Sequence, residues 1–95
     1  MTAAQRTARL RITGIVQGVG YRFWAMRTAA SLGLRGWVRN RSDGSVEAQV
    51  TGSPHDVAAM VEACLRGPAG ASVAAVTVAE AEDDGSLDFT ALPTG

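Results

Sequence analysis

Three glycines, Gly14, Gly18 and Gly20, stand where this chain must turn from a strand-like run into a helix-like one. The first run, Arg9 to Ile15, alternates polar and apolar residues and places Leu10 and Ile12 on one face. The second, Phe23 to Leu32, carries Phe23, Met26 and Ala30 at helical spacing, with Gly33 as its C-terminal stop. Glycine permits positive φ and the close approach of another backbone or a ligand. A helix start leaves unpaired N–H groups and a partial positive charge, which suit a bound anion. Arg22 adds a full cation at the same end, a placement that costs about 0.3–1 kcal/mol against the helix dipole. A broken local rule points first to function. The stretch predicts an oxyanion cradle suited to phosphate, its donors the backbone N–H groups of Ile15, Val16, Gln17, Gly18, Val19, Gly20, Tyr21 and Arg22.

The remaining elements follow from the same kind of pattern. Met1 to Thr7 lacks periodicity and reads as a loose tail on a single domain spanning 1–95. Leu34 to Arg41 is a second strand carrying Trp37 and Val38, and Ser42-Asp43-Gly44-Ser45 is a hairpin turn. Val46, Ala48 and Val50 alternate with Glu47, Gln49 and Thr51, a third strand with one wet face. Ser53 caps a second helix, Pro54 opens it and Asp56 sits in its first turn. Val57, Met60, Val61, Cys64 and Leu65 form its apolar stripe, and Gly67-Pro68 ends it. Val73, Val76 and Val78 begin a fourth strand, and Leu87 to Leu92 is a short last one after an acidic turn. Strand, helix, strand, strand, helix, strand (βαββαβ) implies two helices on one face of a mostly antiparallel sheet. That is the ferredoxin-like α/β sandwich, an α+β fold.

Composition narrows the function classes. Nine basic and nine acidic residues give zero formal charge, poor support for nucleic-acid binding. The basic residues cluster from Arg6 to Arg41 while Glu80 to Asp88 is acidic, a polarity that would gather small anions at one end. One cysteine excludes an intramolecular disulfide framework, and no apolar run is long enough to cross a bilayer. A soluble cytoplasmic protein is expected.

No serine–histidine or cysteine–histidine pairing and no metal-ligand cluster is visible, so neither metal nor cofactor is expected. His55, the one histidine, reads as an exposed residue of a helix start, and Cys64 as a small buried hydrophobe. Arg22 and Asn40 remain. Taken singly, Arg22 reads equally as a surface arginine and Asn40 as a residue before a turn. In a ferredoxin-like sheet the second strand lies beside the central pair, an arrangement that brings Asn40 toward the glycine loop. Trp37 and Phe23 read as core or rim aromatics, and Trp24 points elsewhere.

Gly14-x-Val16-Gln17-Gly18-Val19-x-Tyr21-Arg22, then Leu32-Gly33-Leu34-x-Gly36-Trp37-Val38-x-Asn40 and Asp43-Gly44-x-Val46-Glu47, resembles the acylphosphatase family. The likeness runs from about Leu10 to Phe89. It implies the same sandwich fold and a small monomeric enzyme that hydrolyses acyl phosphates to carboxylate and phosphate. The family's catalytic arginine and asparagine fall on Arg22 and Asn40. By that resemblance the loop holds the phosphoryl oxygens, Arg22 pairs with two of them, and Asn40 orients the attacking water. The leaving carboxylate departs readily and the substrate's own phosphate accepts the water's proton, so no metal, cofactor or protein base is implied. Two departures stand out. Arg41 and Ser42 follow Asn40 where many relatives carry a small or hydroxyl residue directly. The end of the chain keeps Phe89 but lacks a terminal basic residue, and Pro93 is expected to limit pairing and lower stability at that edge.

Two other classes compete. One is a binding module, like the acylphosphatase-like domain that opens large carbamoyl-transfer proteins; the end at Gly95 without zinc-type cysteine pairs is read against it. The other is a nucleic-acid reader, which needs a basic sheet face with several exposed aromatics, and only five aromatics exist here. The ranking puts the small-molecule enzyme first.

Overall fold

Alternation along the strands decides which side of the sheet is buried. In a computed structural model, which describes residues 4–95, the first strand is β1 (Arg6–Ile15). Its Ala8, Leu10 and Ile12 are fully buried on one face. The chain continues through α1 (Tyr21–Ser31), β2 (Arg35–Asn40), β3 (Val46–Gly52), α2 (Pro54–Arg66), β4 (Ser72–Glu80) and β5 (Phe89–Ala91). The sheet order is β4-β1-β3-β2-β5. β1 pairs antiparallel with β3 and β4, β2 antiparallel with β3, and β2 parallel with β5. Both helices pack Tyr21, Ala25, Ala29, Val57, Met60 and Cys64 into one core with Leu10, Ile12, Val38, Val46 and Val50. This is the expected ferredoxin-like sandwich, with β1 and β3 central and β2 beside them. Among the described residues no helix is long and apolar enough to cross a membrane.

Several local expectations need correction. The strand starts at Arg6, so Arg6 and Thr7 are not tail. They pair with Gly52 and Thr51, the Arg6 guanidinium holds Glu80 at 2.8 Å, and Thr7 Oγ1 bonds Thr51 Oγ1 at 2.8 Å. Backbone pairing and polar side chains hold this end, and neither leaves an apolar pattern to read. Residues 1–3 lie outside the described residues.

Helix α1 starts at Tyr21 and buries Tyr21, Ala25 and Ala29 rather than Phe23, Met26 and Ala30. Its apolar residues run all round, so periodicity does not select a face, and small alanines let the helix lie close to the sheet. In α2 Ala63 is buried and Leu65 is exposed, while Ser53 caps as expected, its hydroxyl accepting the Asp56 N–H at 3.2 Å. Gly36 lies inside β2, not in a turn.

The supposedly wet face of β3 is covered. Gln49 and Thr51 are each 2% exposed. Arg9 donates to Gln49 Oε1 at 2.7 and 2.9 Å, and Gln49 Nε2 donates to the Glu82 carbonyl at 3.3 Å. The Arg9 and Arg39 guanidiniums lie over the Trp37 ring, 5.0 and 5.2 Å from its centroid, and Trp37 Nε1 donates to Asp84 at 3.1 Å. Arg35 reaches Asp83 at 2.6 Å and the Ser86 carbonyl at 2.6 Å. The acidic 82–86 segment is thereby strapped over the sheet. At the far edge, pairing does not stop at Pro93. Leu92 N donates to the Val38 carbonyl at 2.9 Å, and Gly95 N to the Asn40 carbonyl at 3.0 Å. The last strand is shorter than expected, and Leu87 stands exposed before it.

Candidate active site

The loop between β1 and α1 is shaped by its glycines. The pairing of β1 with β4 shifts register between Thr13 and Gly14, and a Cβ at Gly14 would run into the Ser72 carbonyl. Gly20, at φ 79°, is the N-cap of α1 and offers no side chain to satisfy the helix's first N–H groups. The first bonded amide is Trp24 N, which donates to the Gly20 carbonyl at 3.0 Å. From Gln17 through Phe23, no backbone N–H finds an acceptor among the described residues. An uncapped helix start preceded by a left-handed residue presents free N–H donors, chemistry that can hold the oxygen atoms of an anion.

Behind this loop Tyr21 acts as an anchor. Its ring is buried, its hydroxyl donates to the Cys64 carbonyl of α2 at 2.7 Å, and Trp24 meets it edge-on at 5.2 Å. Burial pushes the pKa of that hydroxyl well above its ordinary value. In front, Gln17 ties the loop to the β2–β3 turn: its Nε2 donates to the Arg41 and Ser45 carbonyls, each at 2.8 Å. The turn is stiff. Asp43 accepts the Ser45 hydroxyl and amide at 2.6 and 2.9 Å, and Arg11 pairs with its other oxygen. The Ser45 bonds, then Arg11, hold the Asp43 carboxyl far below its usual range.

Asn40 ends β2 opposite Val46, on the helix side of the sheet. Its side-chain Oδ1 is buried and has no hydrogen-bond partner among the described residues. Leaving such an acceptor unpaired costs about 1–3 kcal/mol, a cost that a waiting ligand explains. Arg22 is exposed at the start of α1, and among the described residues it forms no ion pair or side-chain hydrogen bond. Six of the other arginines, Arg6, Arg9, Arg11, Arg35, Arg39 and Arg41, each hold a carboxylate.

One cavity of about 370 Å³ collects these features. Its polar part is lined by Val16, Gln17, Gly18, Gly20, Tyr21, Arg22 and Asn40. Of the anticipated cradle residues, Ile15 and Val19 do not line it; Ile15 points outward and Val19 packs against the core. Phe23, Met26 and Ala91 complete the wall, and sequence reasoning did not place them there. Their one visible signal is the i, i+3 spacing of Phe23 and Met26 directly after Arg22. His55 is almost fully exposed beside Asp56, and burial pushes the Cys64 thiol up to about 11. Neither lines this cavity. Among the described residues no group of three or more His, Cys, Asp or Glu side chains is arranged to hold a metal ion.

The family model for acylphosphatase matches residues 8–91, almost the whole fold just described. The chain belongs to the acylphosphatase family. It is 52% identical over 82 residues to an acylphosphatase of Mesorhizobium japonicum, covering 86% of this chain and 87% of that one. An acylphosphatase structure from Coxiella burnetii superposes with a TM-score of 0.89 at 31% identity, covering 93% of each chain. A structure of full-length HypF in a phosphate- and nucleotide-bound form matches with a TM-score of 0.91 at 27% identity. There the likeness covers 99% of this chain but 13% of HypF.

Proposed function

We propose that the protein hydrolyses the carboxyl–phosphate bond of acyl phosphates, giving a carboxylate and inorganic phosphate. The observation that carries this reading is a coincidence in one cavity. Among the described residues, an arginine with no carboxylate partner and an amide oxygen with no donor share it with a run of unbonded N–H groups. The loop from Val16 to Arg22 holds the phosphoryl oxygens, and the Arg22 guanidinium pairs with two of them. Water donates a hydrogen bond to Asn40 Oδ1 and is aimed at phosphorus. As the P–O bond to the acyl group breaks, the carboxylate leaves with its electron pair and the water's proton passes to a phosphoryl oxygen. Charge develops on oxygens already faced by fixed donors, which is where such donors act most strongly.

The enzyme works without metal or cofactor, as a cytoplasmic monomer acting on a small-molecule substrate. It binds no nucleic acid, since the arginines of the open sheet face are committed to Glu47, Asp43 and Asp83. Turnover of benzoyl phosphate in EDTA tests the reading, with Asn40→Ala alongside. Metal-free hydrolysis that falls about 10²–10³-fold in the variant supports the assigned roles. The HypF likeness favours a second reading, a domain that binds the phosphoryl group without hydrolysing it. A folded wild type that binds phosphate and turns nothing over would favour that one.

A further inference from the structure

Helix α1 spends its core face on Tyr21, Ala25 and Ala29. Phe23 and Met26, one turn apart, are off that face. Phe23 is 66% exposed and Met26 is half-buried, yet both line the cavity that holds Arg22 and Asn40. An exposed phenylalanine at a cavity wall adds nothing to the core and leaves a large apolar surface in water. It is not loosely placed, because the Arg27 guanidinium covers its ring at 5.3 Å from the centroid. Met26 adds a flexible, adaptable thioether beside it. Ala91 of β5 supplies another apolar wall, delivered by parallel pairing of β5 with β2, where it stands opposite Val38.

At about 370 Å³ the cavity falls in the range that encloses a whole small molecule rather than four phosphate oxygens. Its polar lining comes from Gln17, Arg22 and Asn40 together with the glycine loop. Around Phe23, Met26 and Ala91 there is no side-chain donor, acceptor or charge on those three residues to greet a polar acyl group. We infer that Phe23, Met26 and Ala91 form an acyl subsite that selects aryl and larger aliphatic acyl phosphates over those with small or polar acyl groups. The inference rests on the acyl phosphate reading of the polar end. The phosphoryl group enters the loop, and the acyl chain or ring lies along Phe23 and Met26. Burying that group against them lowers the barrier for apolar substrates only.

The test is a ratio, which cancels the intrinsic reactivity of each substrate. kcat/KM is measured for benzoyl phosphate and acetyl phosphate with wild type, Phe23→Ala and Phe23→Leu, and inorganic phosphate serves as competitive inhibitor. In Phe23→Ala the benzoyl value is expected to fall about 10-fold or more, the range that a lost apolar contact gives in a specificity pocket. Acetyl phosphate turnover and phosphate inhibition stay within about twofold, since neither reaches the subsite. Phe23→Leu, which keeps apolar surface, retains most of the preference. Because Phe23 is exposed, Tm should move by no more than about 3 °C. Equal losses for both substrates, or an unchanged ratio, would overturn the subsite while leaving hydrolysis intact. A wild type that hydrolyses neither substrate removes the functional reading, and the subsite with it.

Discussion

The two faces of the sheet treat arginine in opposite ways. On the open face Glu47 accepts Arg39 at 2.8 Å and lies 3.3 Å from Arg41 and 3.5 Å from Arg9. Two of the same guanidiniums also lie over the Trp37 ring, so charge, aromatic surface and hydrogen-bonding capacity are engaged with one another. On the helix face, at the end of β2, among the described residues Arg22 has no carboxylate, Asn40 Oδ1 has no donor, and the loop N–H groups have no acceptor. Residues of similar type thus form a closed structural network in one place and an open receptor in the other. Satisfaction, rather than residue identity, separates the two, and substitutions should separate them as well.

The largest effect is expected at Arg22. Arg22→Gln should lower kcat/KM for benzoyl phosphate by about 10³–10⁵, the range seen when an arginine is removed from a transferring phosphoryl group. KM should rise and phosphate inhibition should weaken, because in the proposed mechanism this guanidinium contacts ground state and transition state alike. Urea unfolding should be unchanged, since no folded-state partner is lost. A wild-type KM in this variant would contradict the cradle. Asn40→Ala comes next, with kcat down about 10²–10³ and KM nearly unchanged, because in the proposed mechanism Asn40 acts on the water. Removing an unpaired buried acceptor should leave stability equal or higher, and a large loss of stability would mean that Oδ1 has a structural partner.

Glu47 should behave in the reverse manner. Burial alone would raise its pKa, but the Arg39 bond and the charges of Arg39, Arg41 and Arg9 outweigh that and hold it below its ordinary value of 4.5. A carboxylate whose folded value is depressed contributes stability above the unfolded value and loses it as pH falls through the folded one. Wild type should therefore weaken as pH drops below about 4.5, and Glu47→Gln should flatten that part of the profile. At pH 7 the variant should lose about 1–3 kcal/mol in urea unfolding while keeping kcat within about twofold. A fall in kcat comparable to that of Asn40→Ala would erase the distinction between the two faces.

The sequence made the open receptor easier to read than the closed network. Gly14, Gly18, Gly20 and Arg22 lie within one short stretch, and local rules for strand ends and helix starts suffice to read them. Ser53-Pro54 and Asp43-Gly44 were legible for the same reason. The network was not, because its members are distant in the chain: Arg9 meets Gln49, Trp37 meets Asp84, and Gln49 meets Glu82. Pairs of that kind leave no periodic trace, so Gln49 and Thr51 read as solvent-facing when they are covered. The buried face of α1 escaped for a different reason, since alanines and aromatics surround the helix and only tertiary packing selects Tyr21, Ala25 and Ala29. Ala91 was illegible as a wall of the cavity because its place depends on β5 joining β2 in parallel.

Gln17 joins the two regions. Its amide nitrogen belongs to the loop, and the carbonyls it bonds, Arg41 and Ser45, flank the turn that follows Asn40. Loop and strand end are thus held in one register by two hydrogen bonds of 2.8 Å. If that register matters, Gln17→Ala should disturb binding and water orientation together, lowering kcat and raising KM by about threefold each. The stability loss should be about 0.5–1.5 kcal/mol, the worth of a side-chain donor lost from two carbonyls that keep their backbone donors, Gly44 N and Arg41 N. The smallness is itself informative: glycine conformations and the Tyr21 anchor still shape the loop, so the variant loosens the cradle without dismantling it. Phosphate inhibition and the Asn40→Ala background sharpen the reading. In a double variant the kcat loss from Gln17→Ala should shrink, because there is no longer a water-orienting amide to misplace, while the KM rise should persist. Fully additive kcat losses would mean that Gln17 serves the loop alone and that β2 positions Asn40 without it.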